Sequence, residues 1–474
     1  MQPIKTELLV LGAGPGGYAA AFYAADKGRK VLLVERNPRL GGVCLNEGCI
    51  PSKAYLHATK VMAEAKESAF RGITFSEPKL DLAKMRSWKE SVLEKLGGGI
   101  KSLAKARGVE VLHGRGYFDD SNTIRVETSE GQKFVQFETA IIATGSKAAL
   151  PKVFDLGNPR VMTSREALEV EEIPQNLLVI GGGYIGMELG TVYANLGSKV
   201  TVVEAMDSIL MGADADLARP VMAYAQKHFK EVRLKTKVVK MATAGKQIKV
   251  VFSGPDNAEK EELFDRVLVS VGRSPNCADL GLENTKVTRD EKGFITVDAK
   301  QRTTDPNIYA IGDIAGGLLL AHKAHKEARI AVDNIIGDEH EFKNVIIPAV
   351  VFTDPEVAWA GITEAEAKTK GLEVEVVKFP WGASGRALSF DRPDGLTKLI
   401  VDPETERLLG VGIVGAGAGE LIAEGALAIE MGATVRDIAE TVHPHPTLSE
   451  TMMEAAEAFY GYATHTYTRR KREE

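Results

Sequence analysis

The feature that most constrains this chain is a glycine motif that occurs twice. The first copy, Gly12-Ala13-Gly14-Pro15-Gly16-Gly17, follows the strand-like run at residues 7–11. The second, Gly181-Gly182-Gly183-Tyr184-Ile185-Gly186, follows the apolar run at 177–180. After each copy comes a helical pattern, residues 18–25 in one case and a stretch reaching Leu196 in the other. A second strand then follows, at 30–35 and at 199–204. In both copies an acidic residue, Glu35 or Glu204, stands 23 positions after the first glycine.

This spacing has a physical reading. The first glycine (Gly12, Gly181) makes a tight strand-to-helix turn, and the second (Gly14, Gly183) lets backbone approach a pyrophosphate. The third (Gly17, Gly186) lets the helix pack on its strand. The anion sits at the helix N-terminus, and the carboxylate accepts hydrogen bonds from ribose hydroxyls. One such motif can serve packing alone; two, each with strand, helix and acid in register, point to two dinucleotide sites. The expected fold is α/β, with two Rossmann-like dinucleotide-binding domains followed by a C-terminal α+β domain that carries no fingerprint.

Composition narrows the remaining choices. A length of 474 residues has room for about three domains. A formal charge of -6 argues against nucleic acid or an anionic membrane as the main partner. No uncharged apolar run reaches the ~18 residues of a membrane span. Three cysteines, Cys44, Cys49 and Cys277, are too few for a secreted disulfide scaffold or a four-cysteine zinc site, and no metal is expected. A strand beginning almost at once leaves no room for a signal segment, so a cytosolic protein is expected, although a mature organelle protein whose presequence was removed would look the same. Residues 469–474 read as a short, solvated charged tail.

Between the motifs, residues 52–107 read as mostly helical with a break at Gly97-Gly98-Gly99, and 109–137 as short strands. Residues 139–146 read as a strand ending in Ala143-Thr144-Gly145, and 264–271 and 308–311 as further strands. Beyond 346, strands at 350–352 and 408–414 precede helices at 418–431 and 448–459.

The stretch from Gly41 to Lys53 is the most specific in the chain, with Cys44 and Cys49 five residues apart. That spacing does not match common zinc motifs. On a straight helix, five residues rise about 7.5 Å and rotate away from one another. A bridge therefore needs a distorted first turn, which Gly48 permits before Pro51 starts a regular helix. From the residues alone, a catalytic redox bridge and two unconnected buried thiols both remain open.

The string resembles the redox motif of the pyridine nucleotide–disulfide oxidoreductases. The resemblance extends over essentially the whole chain, through both fingerprints, Ala143-Thr144-Gly145, Val271-Gly272-Arg273, Tyr309-Ala310-Ile311-Gly312-Asp313 and the run from His443 to Glu450. It implies an FAD domain at 1–148 and 273–345, an NAD domain at 149–272 and an interface domain at 346–474. It further implies that Cys49 is the flavin-side sulfur and Cys44 the sulfur that meets substrate. Glu35 resembles the FAD ribose ligand, Asp313 the partner of the ribityl-phosphate region, and Lys53 with Glu188 the ion pair beside the flavin. Arg36, Gly42, Val43, Gly116, Thr144, Gly145 and Ala321 join the dinucleotide contacts by the same resemblance, as do Val238, Gly272 and Arg273.

His445 and Glu450 resemble the family's acid–base dyad. Thiol–disulfide exchange needs a thiolate, and dithiol substrates are mostly protonated near neutral pH. An imidazole can take that proton while a carboxylate holds its tautomer. His443 is the natural competitor; Cys277, His322 and His325 have no role in the pattern. Two residues depart from it. Glu47 puts a carboxylate inside the redox loop, where it would disfavour a Cys49 thiolate. Pro444 restricts the backbone before His445.

The implied activity is oxidation of protein-bound dihydrolipoyl groups by NAD+ through FAD. The implied partners are a second copy of the chain and a lipoyl-bearing acyltransferase of a 2-oxo acid dehydrogenase complex, or a lipoyl carrier protein of glycine cleavage. No fused lipoyl domain is expected. A glutathione-reductase-like activity is the nearest rival, and Glu204 opposes it because a carboxylate repels the 2′-phosphate of NADPH. A redox-silent docking flavoprotein would not need Cys44, Cys49 and His445 together.

Overall fold

A computed structural model of the chain describes residues 2–256 and 258–467; the charged tail at 469–474 lies outside the described residues. Strand Ile4–Leu11 forms the centre of the first sheet, paired in parallel with Val31–Glu35 on one side and Gly131–Ile142 on the other. Successive side chains on this strand point to opposite faces. Leu8 and Val10 pack with Ala20, Ala21 and Ala24 of helix Pro15–Asp26, while Leu9 and Leu11 pack with Phe118, Ile124 and Val126. Both faces are covered, which is why residues 8–11 are apolar in unbroken succession rather than alternating. Ile308–Ala310 returns to this sheet after the second one has been completed.

The second sheet is parallel, in the spatial order Glu231–Arg233, Lys199–Val203, Asn176–Ile180, Arg266–Val269, Val161–Met162. The chain crosses between the two sheets through a short antiparallel ribbon, Ser146–Ala148 against Arg273–Pro275. A five-stranded antiparallel sheet covered by helices Ala418–Glu430 and Glu450–Tyr460 forms the C-terminal part. Its core centres on Trp381, Phe379, Leu399, Ile413 and Met452. Among the described residues, no helix is long and apolar enough to cross a membrane.

Two expectations need correction, and one sheet was not expected. Helix Leu82–Ala106 runs unbroken through Gly97-Gly98-Gly99. Each glycine weakens a helix by about 1 kcal/mol relative to alanine, yet Asp81 caps this one, and a Cβ on Gly97 would stand 2.6 Å from Arg39 Cγ. Close packing, rather than a turn, uses that glycine. Strand Gly131–Ile142 is continuous and stops at Ile142, three residues before Gly145 turns the chain with φ +67°. An antiparallel sheet of Lys237–Ala244, Gln247–Ser253 and Glu259–Phe264 also went unread.

The C-terminal part is joined to the second sheet by a buried charge cluster. Lys398 Nζ donates to Asp214 Oδ2 (2.6 Å), Asp216 Oδ1 (2.8 Å) and Glu364 Oε1 (2.9 Å). These three carboxylates lie close enough together to suit a cation, and the ammonium occupies their centre. Lys398→Met should leave Asp214 buried without a cation, while Asp216 and Glu364 keep Lys378, and cost about 3–5 kcal/mol. Chemical denaturation would measure it; a change below about 1 kcal/mol, the surface-pair range, would contradict the assignment.

Candidate active site

The site begins at the N-terminus of helix Pro15–Asp26, whose N-cap, Gly14, has no side chain to satisfy the free N–H groups. The three fingerprint glycines have different surroundings. A Cβ on Gly12 would meet Ala143 O at 2.5 Å, and one on Gly17 would meet Gly12 O at 1.8 Å, so both are required by backbone packing. A Cβ on Gly14 would meet no protein atom nearer than 3.9 Å; it would project into a cavity of about 370 Å³. The second fingerprint repeats this. Gly181 and Gly186 are closed off at 2.5 and 2.1 Å, while Gly183 faces open space. Packing explains the outer glycines of each motif, and a ligand explains the middle one.

Glu35 lines the cavity, with Oε2 accepting from Ala13 N–H at 2.7 Å and Oε1 from Asn37 N–H at 2.8 Å. Glu204 has the same arrangement, accepting from Gly182 (2.7 Å) and Met206 (2.8 Å). Each carboxylate is thus held at its fingerprint turn with lone pairs to spare. Arg36, Gly42, Val43 and Gly116 line the cavity near the Glu35 end. Thr144, Gly145, Arg273, Asp313 and Ala321 line it as well. Asp313 accepts from Ser146 Oγ, and Arg273 Nε donates to that same hydroxyl at 2.7 Å. Gly272 stands beside the ribbon, its carbonyl accepting from Ala149 N–H. Val238 lies in the antiparallel sheet, two residues from Thr236, whose N–H donates to the Glu204 carbonyl. Neither Val238 nor Gly272 lines the cavity.

Gly48 separates helix Gly42–Glu47 from helix Cys49–Glu67, with φ −148° and ψ −108°. The expected distortion is therefore a full break between helices, and the second starts at Cys49 rather than Pro51. It lets Cys44 approach Cys49, and both residues are thiols here. A hydrogen bond from the Cys44 thiol is the largest effect on Cys49 and, with the Lys53 ammonium, outweighs burial and Glu188. Cys49 is thereby lowered to about 7. Cys44 is pushed the other way by that hydrogen bond and by burial. The pair is built to hold its negative charge on Cys49 and its proton on Cys44.

Lys53 Nζ donates to Glu188 Oε2 at 2.8 Å, and Glu188 is 3% exposed. The ion pair joins the redox helix to helix Tyr184–Leu196 of the second fingerprint. Glu47 does not act as expected. It turns toward Arg165, with Arg165 Nε 3.5 Å from its Oε1, and the carboxylate that opposes the Cys49 thiolate is Glu188. Tyr184, which sequence reasoning passed over, lines the cavity between the two fingerprints. Its signal was an aromatic at a free position of the second motif. Burial pushes its hydroxyl up to about 12.

The histidines are separated by geometry. His443 is committed to Glu424 at 2.7 Å, and its side chain is 5% exposed. His445 keeps a 73% exposed side chain while its Nδ1 meets Glu450 Oε1 at 2.8 Å. Burial raises Glu450, but the Thr447 N–H and His445 more than offset it, leaving this carboxyl below its ordinary value. Thr447 Oγ1 donates to the Pro444 carbonyl, closing the turn that presents His445. Neither His445 nor Glu450 lines the cavity that holds Cys44 within this chain. Cys277 is buried, its thiol donating to Gly293 O. His322 meets the Pro348 carbonyl and His325 packs against Tyr18.

Two dinucleotide cradles that converge on a polarised dithiol define a disulfide oxidoreductase. Residues 6–328 match the family model of the pyridine nucleotide-disulphide oxidoreductases, and 347–456 match the dimerisation domain of that family. The chain belongs to this family, and it uses FAD and NAD. It is 47% identical over 463 residues to a dihydrolipoyl dehydrogenase of Vibrio cholerae, covering 98% of this chain and 97% of that one. It is 45% identical over 468 residues to one from Staphylococcus aureus, covering 98% of each. Among solved structures it resembles LpdA from Mycobacterium tuberculosis, with a TM-score of 0.88 and 26% identity over 96% of this chain and 99% of that one.

Proposed function

We propose that this protein oxidises protein-bound dihydrolipoyl groups with NAD+, at a site shared by two copies of the chain. The observation that carries the proposal is the polarised Cys44–Cys49 pair opening onto a dinucleotide cradle. The near-full-length likeness to dihydrolipoyl dehydrogenases supports the substrate. We assign residues 1–148 and 273–345 to the FAD domain, 149–272 to the NAD domain and 346–474 to the interface. The ribbon of Ser146–Ala148 and Arg273–Pro275 supports this division.

In the oxidised form, a substrate thiolate attacks Cys44 Sγ. A substrate–Cys44 bond forms as the Cys44–Cys49 bond breaks, and the electron pair leaves on Cys49, where Lys53 favours negative charge. His445 from the other copy takes the attacking thiol's proton at Nε2, while Glu450 holds Nδ1. The substrate's second thiolate then attacks its own sulfur in the mixed disulfide, closing the lipoyl ring. Cys44 leaves with the electron pair and takes up the proton that the second thiol released. FAD, when bound, supplies the two-electron transfer between this dithiol and NAD+.

Glu204 favours NAD+ over NADP+ by accepting ribose hydroxyls and repelling a 2′-phosphate. Glu204→Ala should lose one charged hydrogen bond, roughly tenfold or more in kcat/KM for NAD+, and relax discrimination against NADP+. Steady-state kinetics with both nucleotides checks this; an unchanged preference removes the residue from the account. The natural partner is the lipoyl-bearing acyltransferase of a 2-oxo acid dehydrogenase complex or a lipoyl carrier protein. We place the protein in the reducing cytoplasm, where Cys277, the one cysteine outside the reactive pair, stays a thiol. The test of the activity is anaerobic titration of the FAD-loaded protein with dihydrolipoamide and then NAD+. Bleaching of the flavin followed by NADH formation is expected, and an inert flavin would overturn the proposal.

A further inference from the structure

The Lys53–Glu188 pair is held from a direction that neither fingerprint nor redox helix supplies. Phe352, in the dimerisation domain, donates its backbone N–H to Glu188 Oε1 at 2.9 Å. Its ring carries Lys53 Nζ over its face, 4.6 Å from the centroid. One residue therefore holds both members of the pair, the carboxylate through its backbone and the ammonium through its ring. The local fold makes this possible. Strand Ala349–Val351 ends one residue earlier, so the Phe352 N–H is outside the strand ladder and free to donate. A Cβ on Gly419 would meet the Phe352 ring at 3.6 Å, so the ring lies against helix Ala418–Glu430.

We propose that Phe352 is a positioning residue that holds Lys53 against Cys49 from the dimerisation domain. Lysine is a point charge on a flexible stem, and its effect on a neighbour depends on where that charge is held. Lys53 is 30% exposed and opens onto the cavity, so without the ring Glu188 alone restrains its ammonium and the charge can shift away from Cys49. Among the described residues, the titratable groups with the largest effects on Cys49 are Cys44, Lys53 and Glu188, Tyr184 interacts with it as well, and the cation of this set is Lys53. Displacing Lys53 leaves Glu188 to oppose the thiolate. The dimerisation domain thus acts twice on the chemistry, through His445 at one sulfur and through Phe352 at the other.

The inference rests on the proposed role of Cys49 beside the flavin, and the test separates the two. In FAD-loaded Cys44→Ser protein, the pH midpoint of Cys49 thiolate formation is read in two ways. One is the long-wavelength thiolate–flavin band, and the other is the alkylation rate at Cys49 with iodoacetamide. Adding Phe352→Leu keeps the backbone N–H and apolar bulk but removes the π face. It should raise the midpoint by about half to one pH unit, the range of a partly desolvated cation–π contact. Phe352→Tyr should restore it. In a Lys53→Met background, Phe352→Leu should produce no further shift. An unmoved midpoint in Phe352→Leu, or an equal shift without Lys53, would overturn the inference. A shifted alkylation midpoint with no long-wavelength band would retain Phe352 and overturn instead the placement of Cys49 at the flavin.

Discussion

His445→Gln should lower dihydrolipoamide turnover by about 10²–10⁴-fold, the range of a lost general base. NADH-driven reduction of the flavin should be nearly unchanged, because that half of the reaction deprotonates no substrate thiol. The split follows from the placement of the dyad. His445 is exposed, oriented by Glu450 at 2.8 Å, and outside the dinucleotide cavity. Rapid mixing with each substrate separately measures both halves. A variant that lost both equally would show that His445 supports the fold rather than the thiol chemistry. His443→Gln serves as the comparison, since its ring is already committed to Glu424.

The second large effect concerns the two sulfurs. Cys44→Ser and Cys49→Ser should each abolish dithiol oxidation, because neither variant can form the disulfide, but their spectra should differ. Cys44→Ser keeps a hydroxyl that can donate to Cys49, so a thiolate–flavin band should persist. It should grow as pH rises through the midpoint of Cys49, which the Lys53 ammonium still lowers in this variant. Cys49→Ser leaves only Cys44; the upward push from the Cys49 thiol is lost, but burial still raises the Cys44 thiol, and no band should appear near neutral pH. A band in Cys49→Ser and none in Cys44→Ser would reverse the assignment.

What could be read from the sequence followed the range of the interactions involved. The fingerprint turns were legible because strand, glycines, helix and acid lie within about 25 residues and each has a local backbone reason. The break at Gly48 was legible for the same reason. Gly97 was misread because its packing partner, Arg39, lies on a different element, and glycine's own preference for turns was all that showed. Glu47 was misread because Arg165, its partner, arrives from a short helix between two strands of the second sheet, Val161–Met162 and Asn176–Ile180. The Glu188–Phe352 bond spans 164 residues and uses a backbone N–H, which no residue pattern encodes. Lys398 likewise looks like an ordinary strand lysine until Asp214, Asp216 and Glu364 surround it.

The central claim is a site completed by two copies of the chain, and mixing inactive subunits tests it most directly. His445→Gln protein and Cys44→Ser protein, each inactive toward dihydrolipoamide, are combined under conditions that allow subunit exchange. Every mixed dimer would pair an intact Cys44–Cys49 disulfide from one chain with an intact His445–Glu450 dyad from the other. Activity should return to about one quarter of wild type for random equal mixing, since half the dimers are mixed and each regains one of two sites. No recovery despite confirmed mixed dimers would place the base and the disulfide in the same chain and contradict the account.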